Sequence, residues 1–370
     1  MQADDSAANL IHRRALLLGL GALGCTRPSV LPVVSGPTPG PVLPASPMIA
    51  QASSAFIRGV NYAHLHVEGH GYGSSRSWDW LGRLVDHGVT DVALMPFAYM
   101  PEIDKPDLRF GGDRTLDDAA LLAEAAQARA AGLRVMFKPH LWAPPFGRGA
   151  FPGDIEMDSP ESWKRWFSAY TDYALLIATA AEQAGASLFC VGNECTRASL
   201  LNPGAWAEVA AAVRRVYRGP LVYGANWNDE VFGFHDWAAF DHIGVNAYFP
   251  LSDAASPSVE ALIAGWQGPL ARLSGLAAST GRSVIFTEAG YEALAGAAAR
   301  PWGSGTSSAD PALQSRAYEA LMRAVGPQPW FQGIYWWKWF TDGPDNPWDR
   351  SAYCPEPEAL TLMERWFGGG

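Results

Sequence analysis

Short apolar runs alternate with longer helical stretches along most of this chain, and this alternation constrains the fold more than any other feature. Eight such runs follow one another between residues 55 and 339. They are AFIRGVN (55–61), DVALMPF (91–97), LRVMFKPH (133–140), SLFCVGNE (187–194), PLVYGAN (220–226), DHIGVNAY (241–248), SVIFTEAG (283–290) and GIYWWKW (333–339). Their continuous apolar character is typical of strands buried on both faces of a parallel sheet.

The stretches between these runs carry helix start and stop signals. Thr115 precedes an alanine-rich stretch that ends at Gly132, and Ser159 followed by Pro160 is a typical helix start. The connection after the fifth run, DEVFGFHDWAAF, has room for only one or two turns. We therefore predict an α/β fold, a single-domain (β/α)8 TIM barrel over residues 55–370. A doubly wound open sheet is the alternative, but GVNYAHLHVEGHG lacks the expected GxGxxG loop.

The N-terminal segment has the composition of an export signal. Residues 1–25 contain HRRALLLGLGALGC, in which two arginines precede a short apolar run, small residues and Cys25. RRALL resembles a twin-arginine signal, and ALGC resembles a lipobox. We expect an exported protein, periplasmic or on the cell surface. Whether Cys25 carries a lipid anchor, which would be the only membrane contact, stays open. Residues 26–54 contain seven prolines and are interpreted as an extended tether.

Composition narrows the range of partners. The formal net charge is -10, and an acidic chain gains nothing from the counterion release that drives nucleic-acid binding. The 16 tryptophans are far more than usual and suit stacking on the apolar faces of sugar rings. No CxxC or Cys/His metal spacing occurs. We expect a monomer that acts on a polysaccharide or oligosaccharide and needs no cofactor or metal.

Barrel enzymes carry their chemistry at the C-terminal ends of the strands. In this chain those ends collect amides, carboxylates, cations and aromatic rings. The candidate residues are Asn61, Lys138, His140, Trp142, Asn193, Glu194, Asn226, Trp227, Asn246, Tyr248, Glu288, Trp336 and Trp337.

Two carboxylates among these residues suggest a reaction. Glu194 ends the fourth run and Glu288 the seventh, and these strands face each other across the mouth of a barrel. Two facing carboxyl groups are the minimal machinery of glycoside hydrolysis, because one protonates the leaving oxygen while the other attacks or activates water. Alternatively, each Glu is a solvated charge or pairs with Lys138 or Arg197.

The Asn-Glu pair of the fourth run and the Glu of the seventh resemble the retaining (β/α)8 glycoside hydrolases of clan A. Within that clan, this chain is similar to glycoside hydrolase family 113, which is known for β-mannanases. The segments that carry the resemblance span about residues 56 to 340. They are RGVNY, VALMPFAYM, GLRVMFKPHLW, FCVGNE, IGVNAYFPL, VIFTEAGY and GIYWWKWF.

The resemblance implies residue roles. Glu194 would be the general acid/base and Glu288 the nucleophile. Asn193 would bind the 2-hydroxyl of the sugar, Tyr248 would orient the nucleophile, and Trp336 or Trp337 would form the floor of the pocket. Clan members often carry an arginine on the second strand near the nucleophile. VALMPFAYM has none, so another donor must serve, Lys138 or His140. The implied substrate is a β-linked polysaccharide, most like β-1,4-mannan.

Two other hypotheses remain. HLHVEGH places His64, His66 and His70 after the first run, as in a metal-dependent amidohydrolase barrel, in which Lys138 could bridge two metals. Such a barrel also needs histidines after the fifth and sixth strands and an Asp after the eighth. Those positions hold Asn226, Asn246 and Trp336. The other hypothesis is a non-catalytic sugar-binding barrel. No GxSxG motif supports a serine hydrolase.

Overall fold

The computed structural model describes residues 56–64, 70–111, 118–303, 307–343 and 352–368. The export segment, Cys25 and the whole tether lie outside these residues, as do Thr115 and His66, so the interpretations that rest on them remain predictions. Within the described ranges, no helix has both the length and the apolar character needed to cross a membrane.

Eight parallel strands form a closed barrel, which confirms the predicted (β/α)8 TIM barrel. Around the barrel their order is β1-β10-β9-β8-β7-β6-β4-β2. The eight strands are β1 (Ile57–Ala63), β2 (Asp91–Leu94), β4 (Arg134–Phe137), β6 (Leu188–Asn193), β7 (Leu221–Asn226), β8 (His242–Asn246), β9 (Val284–Ala289) and β10 (Phe331–Phe340). Every residue of β6, β7 and β9 is buried, as expected for strands covered on both faces.

Two further strands form a small parallel sheet that the sequence did not predict. They are β3 (Phe97–Tyr99) and β5 (His140–Trp142), with Phe97 paired to His140. Each continues an apolar run whose first half is a barrel strand, β2 or β4. Pro96 and Pro139 stand at the two breaks, and proline has no N–H to donate to a strand ladder. The small sheet places His140 and Trp142 beyond the end of β4.

The helices lie outside the barrel. They are α1 (Ser75–Asp86), α2 (Asp118–Ala130), α3 (Pro160–Ala184), α4 (Thr196–Leu201), α5 (Ala205–Val213), α6 (Asp229–Gly233), α7 (Val259–Gly265), α8 (Gln267–Thr280), α9 (Pro311–Val325) and α10 (Pro357–Phe367). The described residues also form three 3-10 helices, Pro144–Arg148, Pro152–Asp154 and Trp237–Ala239. Ser159 caps α3 by accepting a hydrogen bond from the Ser162 N–H (3.2 Å), which confirms that predicted start. The short crossover after β7 is confirmed as α6.

Apolar side chains fill the inside of the barrel. They come from seven of its strands and are Ile57, Ala93, Met136, Leu188, Cys190, Val222, Ile285 and Tyr335. Such a packed interior is the usual core of this fold, so a substrate can reach only the strand ends and the loops above them.

Candidate active site

The pairing register of the barrel strands places the polar residues at their C-terminal ends at the same height along the barrel axis. In the barrel, Asn193 pairs with Gly224, Asn226 with Asn246, and Asn246 with Glu288. The pairings shift between Cys190 and Asn193 and between Val245 and Asn246, so local irregularities adjust where these side chains point. The residues predicted from separate apolar runs therefore meet at the C-terminal mouth of the barrel.

Glu288, near the end of β9, is buried and accepts three hydrogen bonds. Lys138 Nζ donates to Oε1, Tyr248 OH donates to Oε2 (2.8 Å), and Asn193 Nδ2 donates to Oε1 (3.4 Å). An ammonium and a hydroxyl on opposite oxygens fix the carboxylate and compensate its charge. A carboxylate held in this way can act as a nucleophile.

Lys138 supplies the cation that the sequence left open between two residues. It follows β4 at the break before Pro139, and its side chain is completely buried. Besides Glu288, its Nζ donates to Asn61 Oδ1 (3.2 Å) and to the Thr287 carbonyl (3.3 Å). Burying an ammonium is costly unless such partners satisfy it.

Replacing Lys138 by methionine is expected to lower the free energy of unfolding by about 3–5 kcal/mol, because Glu288 would keep a buried charge without its partner. The double variant Lys138→Met/Glu288→Gln carries no such charge and should regain part of the loss. Lys105→Met, at an exposed surface lysine, is the control. Urea unfolding of the four proteins checks this, and a double variant no more stable than Lys138→Met would contradict it.

Glu194 follows β6 and faces Glu288. Its backbone has φ 59°, and its N–H donates to the Gly224 carbonyl (2.8 Å). Desolvation by burial, together with the negative charge of Glu288, raises the pKa of Glu194 to about 8. A carboxyl group that keeps its proton at neutral pH can act as a general acid.

Asparagines connect the two carboxyl groups. Asn246 Nδ2 donates to Asn193 Oδ1 (3.1 Å), and Asn246 Oδ1 accepts from Thr287 Oγ1 (2.8 Å). Gly224 leaves the space for this pair, since a Cβ there would lie 2.4 Å from Asn193 Oδ1. Only a glycine allows that approach.

Three asparagines expected to bind substrate have supporting positions. Asn61 is fully buried, and its Nδ2 donates to the carbonyls of Thr287 (3.0 Å) and Tyr335 (3.1 Å). Asn246 is also fully buried. Asn226 Nδ2 donates to Thr196 Oγ1 (3.0 Å). In the structure these three side chains hold the strand ends, and direct substrate contact stays a prediction for them.

Trp336 and Trp337, two of the three tryptophans in β10, face opposite sides. Trp336 is buried, and its ring stacks on Tyr318 of α9 at 3.9 Å and 3°. It therefore packs between the barrel and a helix, and its expected place in the pocket stays a prediction. Trp337 is half-buried, with the Lys138 ammonium 5.6 Å from its ring centroid. Trp337 is the tryptophan that lies at the barrel mouth.

His140 stacks on Trp337 with ring centroids 6.2 Å apart and 20° between the planes. Burial, with the charges of Lys138 and Lys338, holds the pKa of His140 well below its usual range, so the ring is neutral. Within the described residues, its Nε2 has no hydrogen-bond partner.

Further aromatic rings lie on loops that follow the strands. Trp142 is half-buried and packs edge-on against Tyr99 (5.8 Å). Trp227, after β7, stacks on Trp302 at 5.3 Å and 13°, and 47% of Trp302 is exposed. This pair presents one open indole face to solvent.

Sequence reasoning missed Tyr353. It lies after β10, in contact with Tyr248 at 6.3 Å between ring centroids. Burial raises its pKa well above the usual range, as do the charges of Glu292, Glu288 and Glu194. Tyr353 is in an irregular segment, where no periodicity marks a site.

Glu230 and Thr287 were missed as well. Glu230 stands in the first turn of the short helix α6, where an acidic residue commonly favours the helix N-terminus and gives no sign of burial. Thr287 occupies an apolar run beside Glu288. Both are fully buried next to the residues already described.

The histidines after β1 have other contacts. His64 Nδ1 accepts from the Tyr72 N–H (3.0 Å), and His70 Nδ1 lies 2.7 Å from Asp342 Oδ1. Among the residues that the structure describes, no three His, Cys, Asp or Glu side chains are grouped as a metal site. Nothing in this part of the chain favours the amidohydrolase hypothesis.

Solved structures share this architecture. The GH113 β-mannanase AaManA from Alicyclobacillus acidocaldarius, in complex with ManMIm, is 28% identical with a TM-score of 0.74, covering 87% of this chain and 99% of that one. A GH113 β-1,4-mannanase complex is 21% identical with a TM-score of 0.74, covering 85% and 99%. A β-glucuronidase from Ruminococcus gnavus shares the fold at 13% identity and a TM-score of 0.55, covering 84% of this chain and 49% of that one.

No curated protein matches this chain in sequence. The model of Glycoside Hydrolase Family 113, in contrast, matches residues 60–351. That range contains all of the barrel-mouth residues described above except Tyr353. The chain therefore belongs to glycoside hydrolase family 113 and is a β-mannanase-like glycoside hydrolase.

Proposed function

We propose that this protein hydrolyses β-1,4-linked mannan or manno-oligosaccharides with retention of configuration. The observation that carries the proposal is the unequal environment of the two facing carboxyl groups. Glu288 is paired with the Lys138 ammonium, while the raised pKa of Glu194 keeps it protonated at neutral pH. This division provides a nucleophile and an acid at the same site.

In the first step, Glu288 attacks the anomeric carbon at the cleavage point. The bond from that carbon to Glu288 forms while the glycosidic bond breaks, and Glu194 gives its proton to the leaving oxygen. Tyr248 and Lys138 hold the two oxygens of Glu288 during the attack. The product is a covalent glycosyl-enzyme.

In the second step, Glu194 acts as a base. Once Glu288 is esterified it has no charge, so one of the causes that raise the pKa of Glu194 is removed. The Glu194 carboxylate takes a proton from water, the water oxygen attacks the anomeric carbon, and Glu288 leaves as a carboxylate. Two inversions give net retention.

The sugar at the cleavage point would contact three side chains. Asn193 Nδ2 lies 3.4 Å from Glu288 Oε1, a long contact that can be exchanged for the 2-hydroxyl. The neutral His140 can offer Nε2 to another hydroxyl. Trp337 supplies a partly exposed aromatic face beside them, as sugar pockets commonly require.

Mannan is proposed as the substrate from the relatives. The family members with similar structures are β-mannanases, and the one with 28% identity was solved in complex with ManMIm. The stacked rings of Trp227 and Trp302 suit a second sugar unit next to the cleavage point, because their exposed face lies on loops at the same end of the barrel.

Incubation with β-mannan, glucomannan, xylan, mixed-linkage glucan and β-1,4-manno-oligosaccharides tests the proposal. We expect cleavage of the mannans, a β-anomer as the first product by NMR, no effect of EDTA, and no cleavage by Glu288→Ala. Cleavage of xylan or glucan alone would contradict the substrate, and an α-anomer first would contradict retention. Activity lost to EDTA would revive the metal hypothesis of His64 and His66.

A further inference from the structure

Glu194 has a backbone conformation that needs support. Among the described residues, it is the one residue other than glycine with a positive φ, 59°. The left-handed region is unfavourable for a residue with a side chain and persists when the surrounding structure fixes it. The hydrogen bond from its N–H to Gly224 is one such restraint. The others converge on a carboxylate that the reaction does not use.

That carboxylate is Glu230, whose side chain is fully buried. Its Oε1 accepts from Tyr223 OH (2.7 Å) and Ser199 Oγ (2.8 Å). Its Oε2 accepts from the Asn226 N–H (2.9 Å) and from Thr196 Oγ1 (2.9 Å). Burial raises the pKa of Glu230, and the hydrogen bonds from the four donors act against that shift. Four donors and no acceptor are the environment that favours the ionised carboxylate.

The donors of Glu230 bind the chain on both sides of the Glu194 turn. Tyr223 OH accepts from the Cys195 N–H (3.2 Å) while it donates to Glu230. Asn226 Nδ2 donates to the Glu194 carbonyl (3.5 Å) and to Thr196 Oγ1 (3.0 Å). Glu230 is thus the common acceptor of a network that fixes the peptide groups after Glu194.

We propose that Glu230 is a positioning residue for Glu194, which holds the left-handed turn that aims the acid/base and places a fixed negative charge behind it. The inference rests on the proposed role of Glu194. It is supported by the effect of the charge, since Glu230 raises the pKa of Glu194 in addition to desolvation and Glu288. Other titratable groups close to Glu194 are Lys138, Cys195, Tyr248 and Tyr353.

Glutamine at position 230 can separate the charge from the geometry. A backbone N–H cannot reverse its direction, so the amide oxygen must face Asn226 and the amide NH₂ must face Ser199 and Tyr223. Both of those are hydroxyls that can turn to accept. Glu230→Gln therefore keeps the turn and removes the charge, whereas Glu230→Ala removes both.

The experiment compares kcat/KM against pH for wild type, Glu230→Gln and Glu230→Ala. The substrates are β-1,4-mannohexaose and 2,4-dinitrophenyl β-mannoside, whose leaving group needs no proton. Glu124→Gln is the matched control. Glu124 is equally buried and accepts from Ser77 Oγ (2.6 Å) and the Gly73 N–H (2.8 Å), away from the barrel-mouth residues.

With Glu230→Gln, the pKa of Glu194 should fall because a nearby negative charge is removed. We therefore expect the basic limb, the fall of kcat/KM on mannohexaose at high pH, to move to lower pH by about half a unit to one unit. With Glu230→Ala, we expect kcat/KM to fall by about 10²-fold on mannohexaose and only a few-fold on the dinitrophenyl substrate. A displaced Glu194 affects only the substrate whose leaving group must be protonated. Glu124→Gln should keep the wild-type limb.

An unmoved limb in Glu230→Gln overturns the inference, as does an equal shift in Glu124→Gln or an equal loss of Glu230→Ala on both substrates. If Glu230→Ala does not fold, the position of the basic limb of Glu230→Gln still tests the inference. Glu194→Gln tests the proposed function separately from the role of Glu230. If Glu194→Gln cleaves mannohexaose normally, the proposed function itself is refuted.

Discussion

Replacing Glu288 by glutamine is expected to lower kcat/KM on manno-oligosaccharides by about 10⁴-fold or more, the scale seen when one member of a catalytic set is removed. The amide cannot attack the anomeric carbon, yet it can still accept from Lys138 or Tyr248, so the barrel should remain folded. Its free energy of unfolding should fall, because the buried ammonium of Lys138 loses its counter-charge. Activity measurements with circular dichroism check this, and Glu124→Gln is the control for a buried Glu-to-Gln exchange. Near-normal turnover would refute Glu288 as the nucleophile.

Alanine at position 288 allows a sharper test, because it leaves room for a small anion. With 2,4-dinitrophenyl β-mannoside, azide can enter where the carboxylate was and attack the anomeric carbon from the same face, displacing dinitrophenolate. The expected product is the α-mannosyl azide. A β-azide would place the missing group on the other face and exchange the roles of Glu288 and Glu194.

Replacing Glu194 by glutamine has the second largest expected effect. Cleavage of manno-oligosaccharides should fall by about 10²–10⁴-fold, the usual contribution of general acid–base catalysis. On the dinitrophenyl substrate, the first step needs no acid and stays fast, while the second lacks its base. Stopped-flow measurements should therefore show a burst of dinitrophenolate and then slow turnover. A uniform loss without a burst would contradict the assignment.

The same residue should determine the basic limb of the pH profile. Glu194 must carry its proton in the free enzyme, and its pKa is about 8, so kcat/KM on manno-oligosaccharides should fall as the pH rises through that value. With Glu194→Gln, the limb should disappear. A limb that survives in the variant near the same pH would belong to another group and would contradict the assignment.

The barrel was predictable because its signal is repeated. Eight apolar runs with helices between them leave few other arrangements, and each run overlaps one barrel strand. The split of two runs at Pro96 and Pro139 was not predicted, although each proline removes a ladder donor. In the sequence, a proline that ends a strand cannot be distinguished from a proline that separates two strands, because the difference depends on the partner strand.

The sequence predicted which residues meet at the site, but not the direction in which each side chain points. Glu194, Glu288, Tyr248, Asn193 and Lys138 converge as expected, because all stand at C-terminal strand ends. Which neighbour faces the pocket depends on the pleat, and an irregularity between Ile334 and Trp336 prevents counting by alternation. That is why Trp336 and Trp337 could not be told apart from the sequence.

Supporting residues were harder still. Glu230 belongs to a five-residue helix, and its burial depends on four donors supplied by two other elements, α4 and β7. No local sequence pattern predicts that residues from separate elements converge on Glu230. Asn61 and Asn246 are the opposite case. Their positions at strand ends suggest substrate ligands, but their amides donate to groups on other barrel strands.

The bond between Lys138 and Glu288 joins the two halves of the chain. The ammonium comes from the third barrel strand and the carboxylate from the seventh, 150 residues later. A chain that has assembled only its first four strands holds Lys138 without its partner, and the later strands alone hold Glu288 without its cation. Catalytic competence therefore arises only when the ring of strands closes, so the appearance of activity during refolding would report completion of the whole barrel rather than of any one part.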